Sequence, residues 1–226
     1  MRRIAVTGAS SQLGVFLLPR LQAAGFGVDA YGRGAPSSPV EISPQVRWLR
    51  PGMDSSLSGA DAVVSCGPLS LAAAMVSNSA GLRQVLAFST TSVLSKANSP
   101  NRSESGQMAA IQADEDRLKS VCGNRGAGLL LLRPTLIYGC GLDRNISLLA
   151  RIGKRTGFIP VAGKASGLRQ PVHADDLAAR AVGALGANDK IDIESPACGG
   201  STLSYRAMVT EIAACFSGVR AVSLPP

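Results

Sequence analysis

The amino-acid sequence predicts an α/β fold with a doubly wound parallel sheet and a small C-terminal lobe. Two observations carry this prediction. Short apolar segments of strand length alternate with amphipathic segments of helical length, a pattern typical of repeated strand-helix-strand units. In addition, the first apolar segment runs directly into a turn punctuated by glycines, residues 7–14 (Thr-Gly-Ala-Ser-Ser-Gln-Leu-Gly). A strand, such a turn and a helix in succession open a dinucleotide-binding unit.

The elements of the core are predicted one by one from these patterns. Apolar runs bounded by turn residues predict strands at 3–7, 27–32, 46–49, 61–66, 83–89 and 128–133. Amphipathic spacing predicts helices near 12–24, 70–80 and 106–122. Residues 34–44, which contain Pro36, Pro39 and Pro44, and the polar residues 96–106 are predicted to be loops.

The alternation loosens after Tyr138. The remaining patterns predict helices near 145–154, 175–186 and 204–216 and a strand at 190–194. We therefore assign residues 1–138 to a Rossmann-type cofactor-binding core. Residues 139–226 are assigned mainly to a substrate lobe, with some segments returning to the core.

Composition excludes several classes of protein. The cysteines are odd in number, scattered and without metal-ligand spacing, and His173 is the single histidine, so disulfide frameworks and metal sites are not expected. No apolar run has the length of a signal peptide or a membrane span, and we expect a soluble, cytoplasmic protein with no membrane partner. The net charge is +8, but the basic residues form no block and aromatics are only 4%, which disfavours a nucleic-acid partner.

The turn after the first strand predicts a phosphate-binding site made by Thr7, Gly8, Ser10, Ser11, Gln12, Leu13 and Gly14. Gly8 permits the tight turn, and Gly14 permits close packing of the helix on the strand. Ser11 stands where the motif has its second glycine. Its side chain narrows the phosphate site unless the hydroxyl itself becomes a ligand.

Several motifs together resemble a known family, the extended and atypical short-chain dehydrogenase/reductases, also described as NAD-dependent epimerase/dehydratases. The similar segments occur in the order found in that family: 7–14, 59–67 (Gly-Ala-Asp-Ala-Val-Val-Ser-Cys-Gly), 88–92 (Phe-Ser-Thr-Thr-Ser), 132–139 (Leu-Arg-Pro-Thr-Leu-Ile-Tyr-Gly) and 169–178 (Arg-Gln-Pro-Val-His-Ala-Asp-Asp-Leu-Ala). The resemblance implies a nicotinamide cofactor, a small-molecule substrate such as a nucleotide-sugar, and allows a homodimer. Members usually continue with further helix, which leaves open whether Pro226 is the natural end of the chain.

The resemblance also implies roles for single residues. Cys66, Gly67, Pro68, Ser89, Pro134 and Thr135 correspond to positions beside the cofactor. Thr90, or in second place Thr91, corresponds to the residue that binds the reacting oxygen. Asn145 and Arg169 correspond to positions that contact the substrate diphosphate, and a guanidinium suits paired phosphate oxygens. His173 is interpreted as structural, with Asp175 and Asp176 capping the next helix.

The catalytic Tyr-x-x-x-Lys pair of the family is missing. Counting back from Glu115, which resembles a glutamate in the same helix, the tyrosine position is Gln107 and the lysine position is Ile111. Neither side chain can exchange a proton near neutral pH. Candidate substitutes are Lys96, Glu104 and Tyr138. Two classes therefore stay open, an NAD(P)-dependent epimerase, dehydratase or reductase, and a non-catalytic binder that uses the cofactor for stability or redox sensing.

The end of the second strand bears on the type of cofactor. NAD-binding proteins carry an acidic residue there for the ribose hydroxyls. In this chain Asp29 falls too early, Gly32 occupies the position, and Arg33 follows. Because a guanidinium suits a 2′-phosphate, the sequence favours NADP over NAD.

Overall fold

A computed structural model describes residues 1–34, 43, 46–52, 55–57, 59–186 and 193–224. The elements of the first part are β1 Arg3–Thr7, α1 Gln12–Ala23, β2 Gly27–Tyr31, β3 Arg47–Leu49, β4 Ala62–Ser65, α2 Leu69–Ser77, β5 Gln84–Phe88, α3 Ser92–Ser95, α4 Arg102–Arg125 and β6 Gly128–Pro134. The later elements are β7 Ile137–Tyr138, α5 Ile146–Thr156, β8 Phe158–Ala162, β9 Leu168–Arg169, β10 Val172–His173, α6 Ala174–Gly186, β11 Ile193–Ala197, β12 Leu203–Ser204, α7 Tyr205–Ala214 and β13 Arg220–Leu224.

A seven-stranded parallel sheet in the order β11-β6-β5-β4-β1-β2-β3 forms the core, which confirms the predicted fold class. The chain runs outward from β1 to β3 on one side and from β4 to β6 on the other. The strand order therefore reverses between β1 and β4. In open α/β sheets ligands bind at such a switch point, beyond the carboxyl ends of the strands.

Helices cover both faces of the sheet because its strands are apolar on both sides. One core cluster joins Val6 and Leu132 to Leu17 of α1 and Leu177 of α6, and the other joins Val85 to Leu118 of α4. A third cluster, around Ile159 and Met208, holds α5, α7 and the β8-β13 pair together.

The predicted strands of the core are present, with bounds close to those predicted. Helix α4 begins earlier than predicted, so the loop prediction for 96–106 is wrong in its second half. The Asn101 side chain accepts hydrogen bonds from the backbone N–H groups of Ser103 and Glu104 and thereby caps the helix. The short strands β7, β8, β9, β10, β12 and β13 were not predicted. Most of the 34–44 loop and residues 190–192 of the last predicted strand lie outside the described residues.

Among the described residues no helix is both long and apolar enough to cross a bilayer. The same part of the chain holds no cluster of His, Cys, Asp and Glu side chains suited to a metal ion.

Candidate functional site

Two backbone turns meet at the switch point, and they require glycine. Gly8 follows β1 with a φ of +65°, and a Cβ there would lie 2.5 Å from the backbone nitrogen of Gly67. The turn after β1 is therefore packed directly against the turn after β4. A Cβ at Gly14 would lie 2.1 Å from the carbonyl oxygen of Ala9, so glycine lets the first turn of α1 pack closely against the turn after β1.

Ser11 has a structural role that the sequence did not indicate. It is the N-cap of α1, and its Oγ accepts a hydrogen bond from the backbone N–H of Gly14 at 3.2 Å. Its φ of −79° is ordinary for any residue, so the backbone does not need glycine at this position.

We expect Ser11→Ala to lower the free energy of unfolding by about 1 kcal/mol, and Ser11→Gly by only a few tenths, since N-cap glycine is tolerated. Urea unfolding monitored by circular dichroism measures both. Equal stability of the alanine variant and the parent would contradict the capping role.

A cleft that we call the glycine cleft lies over these turns, with a volume of about 270 Å³. It brings together predicted cofactor-binding residues from three strand ends: Gly8, Ser10, Ser11, Arg33, Cys66, Gly67 and Pro68. Thr7 and Leu13, which were also predicted to bind the cofactor, are buried and do not line this cleft. The Thr7 hydroxyl donates to Ser65 Oγ and thus joins β1 to β4.

Two polar side chains and one thiol define the chemistry near this cleft. Ser10 Oγ donates to the carbonyl oxygen of Gly34 at 2.7 Å, which holds the end of β2 against the turn. The side-chain nitrogen of Gln12, at the start of α1, is buried and has no hydrogen-bond partner among the described residues. Burial raises the pKa of the Cys66 thiol to about 12, so this group stays protonated at neutral pH.

The acidic residue of β2 is committed to the sheet. Asp29 is 2% exposed and pairs with Arg3 Nη1 at 2.8 Å and Arg47 Nη2 at 2.6 Å. Its carboxylate is therefore used within the fold, and Gly32 leaves the strand end without an acid. A Cβ at Gly32 would lie 2.6 Å from Ser10 Oγ, so the turn favours glycine there.

Arg50, just after β3, is a residue that the sequence analysis missed. It lines a small cavity of about 300 Å³ together with Arg33, Gly32 and Pro51, and this cavity adjoins the glycine cleft. Both arginines are exposed, and neither has a hydrogen bond or ion pair with any described residue. Two guanidinium groups at one cavity, neither paired with a described residue, have the chemistry to bind an anion.

A larger cleft, which we call the hydroxyl cleft, lies beyond the ends of β5 and β6 and has a volume of about 670 Å³. It brings together six of the residues predicted for catalysis, cofactor or substrate: Thr90, Thr91, Lys96, Thr135, Asn145 and Arg169. Arg144 also lines it and was not predicted. Ser89 and Pro134 lie in the strand ends behind the lining residues of this cleft.

The two threonines at the end of β5 differ in how their hydroxyls are used. Thr91 Oγ1 donates to the carbonyl oxygen of Pro134 at 3.2 Å. Thr90 Oγ1 accepts from the backbone N–H of Ser92 at 3.2 Å, which leaves its own proton available for a ligand. Of the two, Thr90 is therefore the one able to donate into the cleft.

Lys96 is held in place at the edge of the cleft. Its ammonium pairs with Glu104 at 2.6 Å, and Ser99 Oγ donates to the other carboxylate oxygen at 2.6 Å. These contacts hold the pKa of Glu104 below its ordinary value, so Glu104 is a carboxylate at neutral pH.

A buried ionic network lies directly behind the hydroxyl cleft. Glu115 of α4 is 0% exposed and accepts hydrogen bonds from Ser89 Oγ and from both Nε and Nη2 of Arg133. Arg133 also contacts Glu194, which pairs with Lys119. The network ties the ends of β5 and β6 to α4 and β11, and it uses the hydroxyl of Ser89, a residue predicted to lie beside the cofactor.

The two residues predicted to contact a diphosphate, Asn145 and Arg169, both line the hydroxyl cleft. Arg169 donates from Nη1 to the carbonyl oxygen of Leu168 at 2.7 Å, and its guanidinium lies 5.6 Å from the ring centre of Tyr205. Asn145 is exposed just before α5 and its side chain does not cap that helix. Asp143 Oδ1 instead accepts hydrogen bonds from the backbone N–H groups of Asn145 and Ser147.

Tyr138 is not brought together with Thr90 and Lys96. Successive residues of a strand point to opposite faces, and in β7 Ile137 lines the hydroxyl cleft while Tyr138 lines a third cleft, which we call the lobe cleft. The Tyr138 ring packs edge-on against His173 with centroids 5.1 Å apart. His173 Nδ1 accepts from the backbone N–H of Asp175, so the histidine, rather than the aspartates, bonds the first turn of α6.

The positions equivalent to the missing catalytic pair lie on α4. Gln107 is exposed, and Ile111 packs against the second core cluster. Neither residue lines the hydroxyl cleft as the structure describes it.

No protein-family model matches the chain, and no curated protein sequence matches it significantly. Solved structures do match. A UDP-N-acetylglucosamine 4-epimerase from Bacillus cereus superposes with a TM-score of 0.77 at 16% identity, over 99% of this chain and 86% of that one. A mutant UDP-glucuronic acid 4-epimerase from Bacillus cereus, in complex with a fluorinated UDP-sugar acid and NAD, gives 0.78 at 16% identity, over 99% and 85%. MoeE5 in complex with UDP-glucose and NAD gives 0.74 at 22% identity, over 99% and 85%. The chain therefore has the Rossmann-type fold of these nucleotide-sugar epimerases and related enzymes.

Proposed function

We propose that this protein is an NADP-dependent enzyme of the epimerase, dehydratase or reductase type that acts on a nucleotide-sugar or a similar polar substrate. The observation that carries the proposal is the pairing of two clefts at the carboxyl edge of one parallel sheet. In the glycine cleft two backbone turns meet at Gly8 and Gly67, which have no side chains. The hydroxyl cleft is lined by threonine hydroxyls and by the cations Lys96, Arg144 and Arg169. The first suits a dinucleotide and the second a phosphorylated polar molecule.

The residues of the glycine cleft fit a dinucleotide. Gly8 and Gly67 leave backbone exposed at a helix start, where N–H groups favour a phosphate. Gln12 follows Ser11, which lines the cleft. Its buried side-chain nitrogen has no hydrogen-bond partner among the described residues, and such an unsatisfied donor costs about 1–3 kcal/mol. When bound, a nicotinamide cofactor supplies reversible hydride transfer.

The preference for NADP rests on Arg33 and Arg50. A 2′-phosphate would neutralise the two guanidinium groups, which have no anionic partner among the described residues. Asp29 is unsuited to bind ribose hydroxyls, because its oxygens are held by Arg3 and Arg47. Two of the structural neighbours named above, MoeE5 and the UDP-glucuronic acid 4-epimerase mutant, are in complex with NAD, so a preference for NADP would distinguish the present chain from them.

At the substrate end, Thr90 and Lys96 are the residues we assign to the reacting group. Thr90 can donate its hydroxyl proton to the reacting oxygen, since its other contact is one that it accepts. The Lys96 ammonium, fixed by Glu104, would stabilise negative charge that develops on that oxygen. Arg169, Asn145 and Arg144 would hold the anionic end of the substrate.

A thermal-shift screen with saturating NADP tests the substrate class. UDP-, GDP- and dTDP-sugars should raise the melting temperature, whereas neutral sugars and acyl compounds should not. A charge-assisted phosphate contact contributes about 1.5–3 kcal/mol. Arg169→Ala should therefore lower the affinity for the nucleotide-sugars roughly ten- to a hundredfold. Arg155→Ala, which removes an exposed arginine of α5, is the control. Stabilisation by uncharged ligands alone would instead favour a reductase of small carbonyl compounds.

The second candidate is a cofactor-binding protein without catalysis. It is favoured by Gln107 and Ile111, which stand where the family has tyrosine and lysine. A panel of nucleotide-sugars incubated with the loaded protein separates the two candidates. Turnover that Thr90→Ala abolishes supports the enzyme, and cofactor binding without turnover on any substrate supports the binder.

A further inference from the structure

The lobe cleft is separate from the two clefts used above. It lies between α5, α7 and the start of α6, on the opposite side of β7 from the hydroxyl cleft, and has a volume of about 500 Å³. Volumes of about 300–1,000 Å³ are typical of small-molecule sites.

Apolar side chains make the floor of the lobe cleft. Met208 and Ile212 belong to the third core cluster and are 3% and 8% exposed, and Ile146 and Phe216 pack beside them. The hydroxyl cleft differs, because hydroxyls, two amides and cations make up most of its lining. The floor of the lobe cleft suits the hydrocarbon part of a ligand.

Two carboxylates lie in the lining of this apolar cleft, Asp176 of α6 and Glu211 of α7. Every other described carboxylate except that of Asp114 has a hydrogen bond or ion pair, whereas none is found for Asp176 and Glu211. Both residues are exposed, so their carboxylates are hydrated in the free protein, and Asp176 also interacts electrostatically with Arg20, which pairs with Asp175.

The lining contains no lysine or arginine among the described residues. The Tyr138 ring is a further group able to attract a cation, because the faces of aromatic rings are negative. An anionic ligand would meet two like charges here, whereas an organic cation would meet two opposite charges beside an apolar floor.

We propose that the lobe cleft binds a small organic ammonium ion, with its hydrocarbon part on Met208 and Ile212 and its charged nitrogen at Asp176 and Glu211. The two clefts on either side of β7 would then take ligands of opposite charge. This proposal is independent of the cofactor and of the reaction proposed above.

Hexylamine and 1-hexanol are the matched probes, since they share a chain and differ in charge at pH 7. Calorimetry on the full chain should find hexylamine bound roughly tenfold or more tightly than 1-hexanol, with an affinity that falls as salt is added. Asp176→Asn and Glu211→Gln should each lower the affinity for hexylamine about two- to fivefold and leave the affinity for 1-hexanol unchanged. Asp114→Asn, which removes a carboxylate from α4, should change neither.

Saturating NADP should not displace hexylamine. Ala150→Phe, which fills the cleft, should abolish binding of both probes while the melting temperature confirms a folded protein. Equal affinity for the two probes, an effect of Asp114→Asn as large as that of Glu211→Gln, displacement by NADP, or no binding of hexylamine would each overturn the proposal.

Discussion

Replacing Glu115 with alanine is expected to lower the free energy of unfolding by about 3–5 kcal/mol, the usual result of removing one partner of a buried ion pair. Glu115 is 0% exposed and Arg133 only 8%, so the substitution leaves a buried guanidinium without its bidentate partner. The Ser89 hydroxyl loses its acceptor as well. For a chain of this size the melting temperature should fall by about 6–20 °C.

Two variants separate the buried pair from the exposed part of the same network. Lys119→Ala removes an ion pair with Glu194 whose side chains are 32% and 42% exposed, so it should cost less than about 1 kcal/mol. Glu115→Gln keeps the shape of the side chain but not its charge. Its loss in free energy of unfolding should lie between those of Lys119→Ala and Glu115→Ala. A loss below about 1 kcal/mol for Glu115→Ala would contradict the role we give to this network.

Gly8→Ala is expected to reduce cofactor affinity at least about a hundredfold and to destabilise the fold by about 2–5 kcal/mol. The added Cβ would lie 2.5 Å from the Gly67 nitrogen and 2.6 Å from the Cys66 carbonyl carbon. Both are backbone atoms, so the two turns must separate where the pyrophosphate would bind. Calorimetry with the cofactor and chemical unfolding measure the two effects.

Gly81→Ala is the matched control. Gly81 has a φ of +80°, comparable to that of Gly8, but a Cβ there has no atom within 4 Å. The control therefore carries the conformational cost, about 1–2 kcal/mol, without the collision. If Gly8→Ala and Gly81→Ala have the same effect on cofactor affinity, the close approach of the two turns is not what forms the site.

The core could be predicted from the sequence because its signals are local. An apolar strand such as β5 and the glycine turn after β1 are both visible in a short window of residues. The start of α4 was missed although Asn101 is a typical N-cap residue, since the polar composition of 96–106 outweighed it.

The remaining parts of the site depend on contacts between distant segments. Arg50 lies beside Arg33 only because β3 pairs with β2. The hydrogen bond of the Ser89 hydroxyl depends on Glu115, which belongs to a helix later in the chain. Tyr138 was predicted as a candidate substitute for the missing catalytic pair, but it does not line the hydroxyl cleft. The two-residue strand β7, which turns it into the lobe cleft, has no pattern long enough to be recognised.

Titration of the purified protein with NADP⁺ and NAD⁺ by calorimetry tests the central claim most directly. We predict that NADP⁺ binds roughly ten- to a hundredfold more tightly than NAD⁺, because its 2′-phosphate would contact the guanidinium groups of Arg33 and Arg50. Arg33→Ala and Arg50→Ala should each remove most of that difference without lowering the affinity for NAD⁺. Arg83→Ala, at the other end of the parallel strands, should leave it intact. Equal or tighter binding of NAD⁺ would contradict the assignment of Arg33 and Arg50, and binding of neither would contradict the glycine cleft as a dinucleotide site.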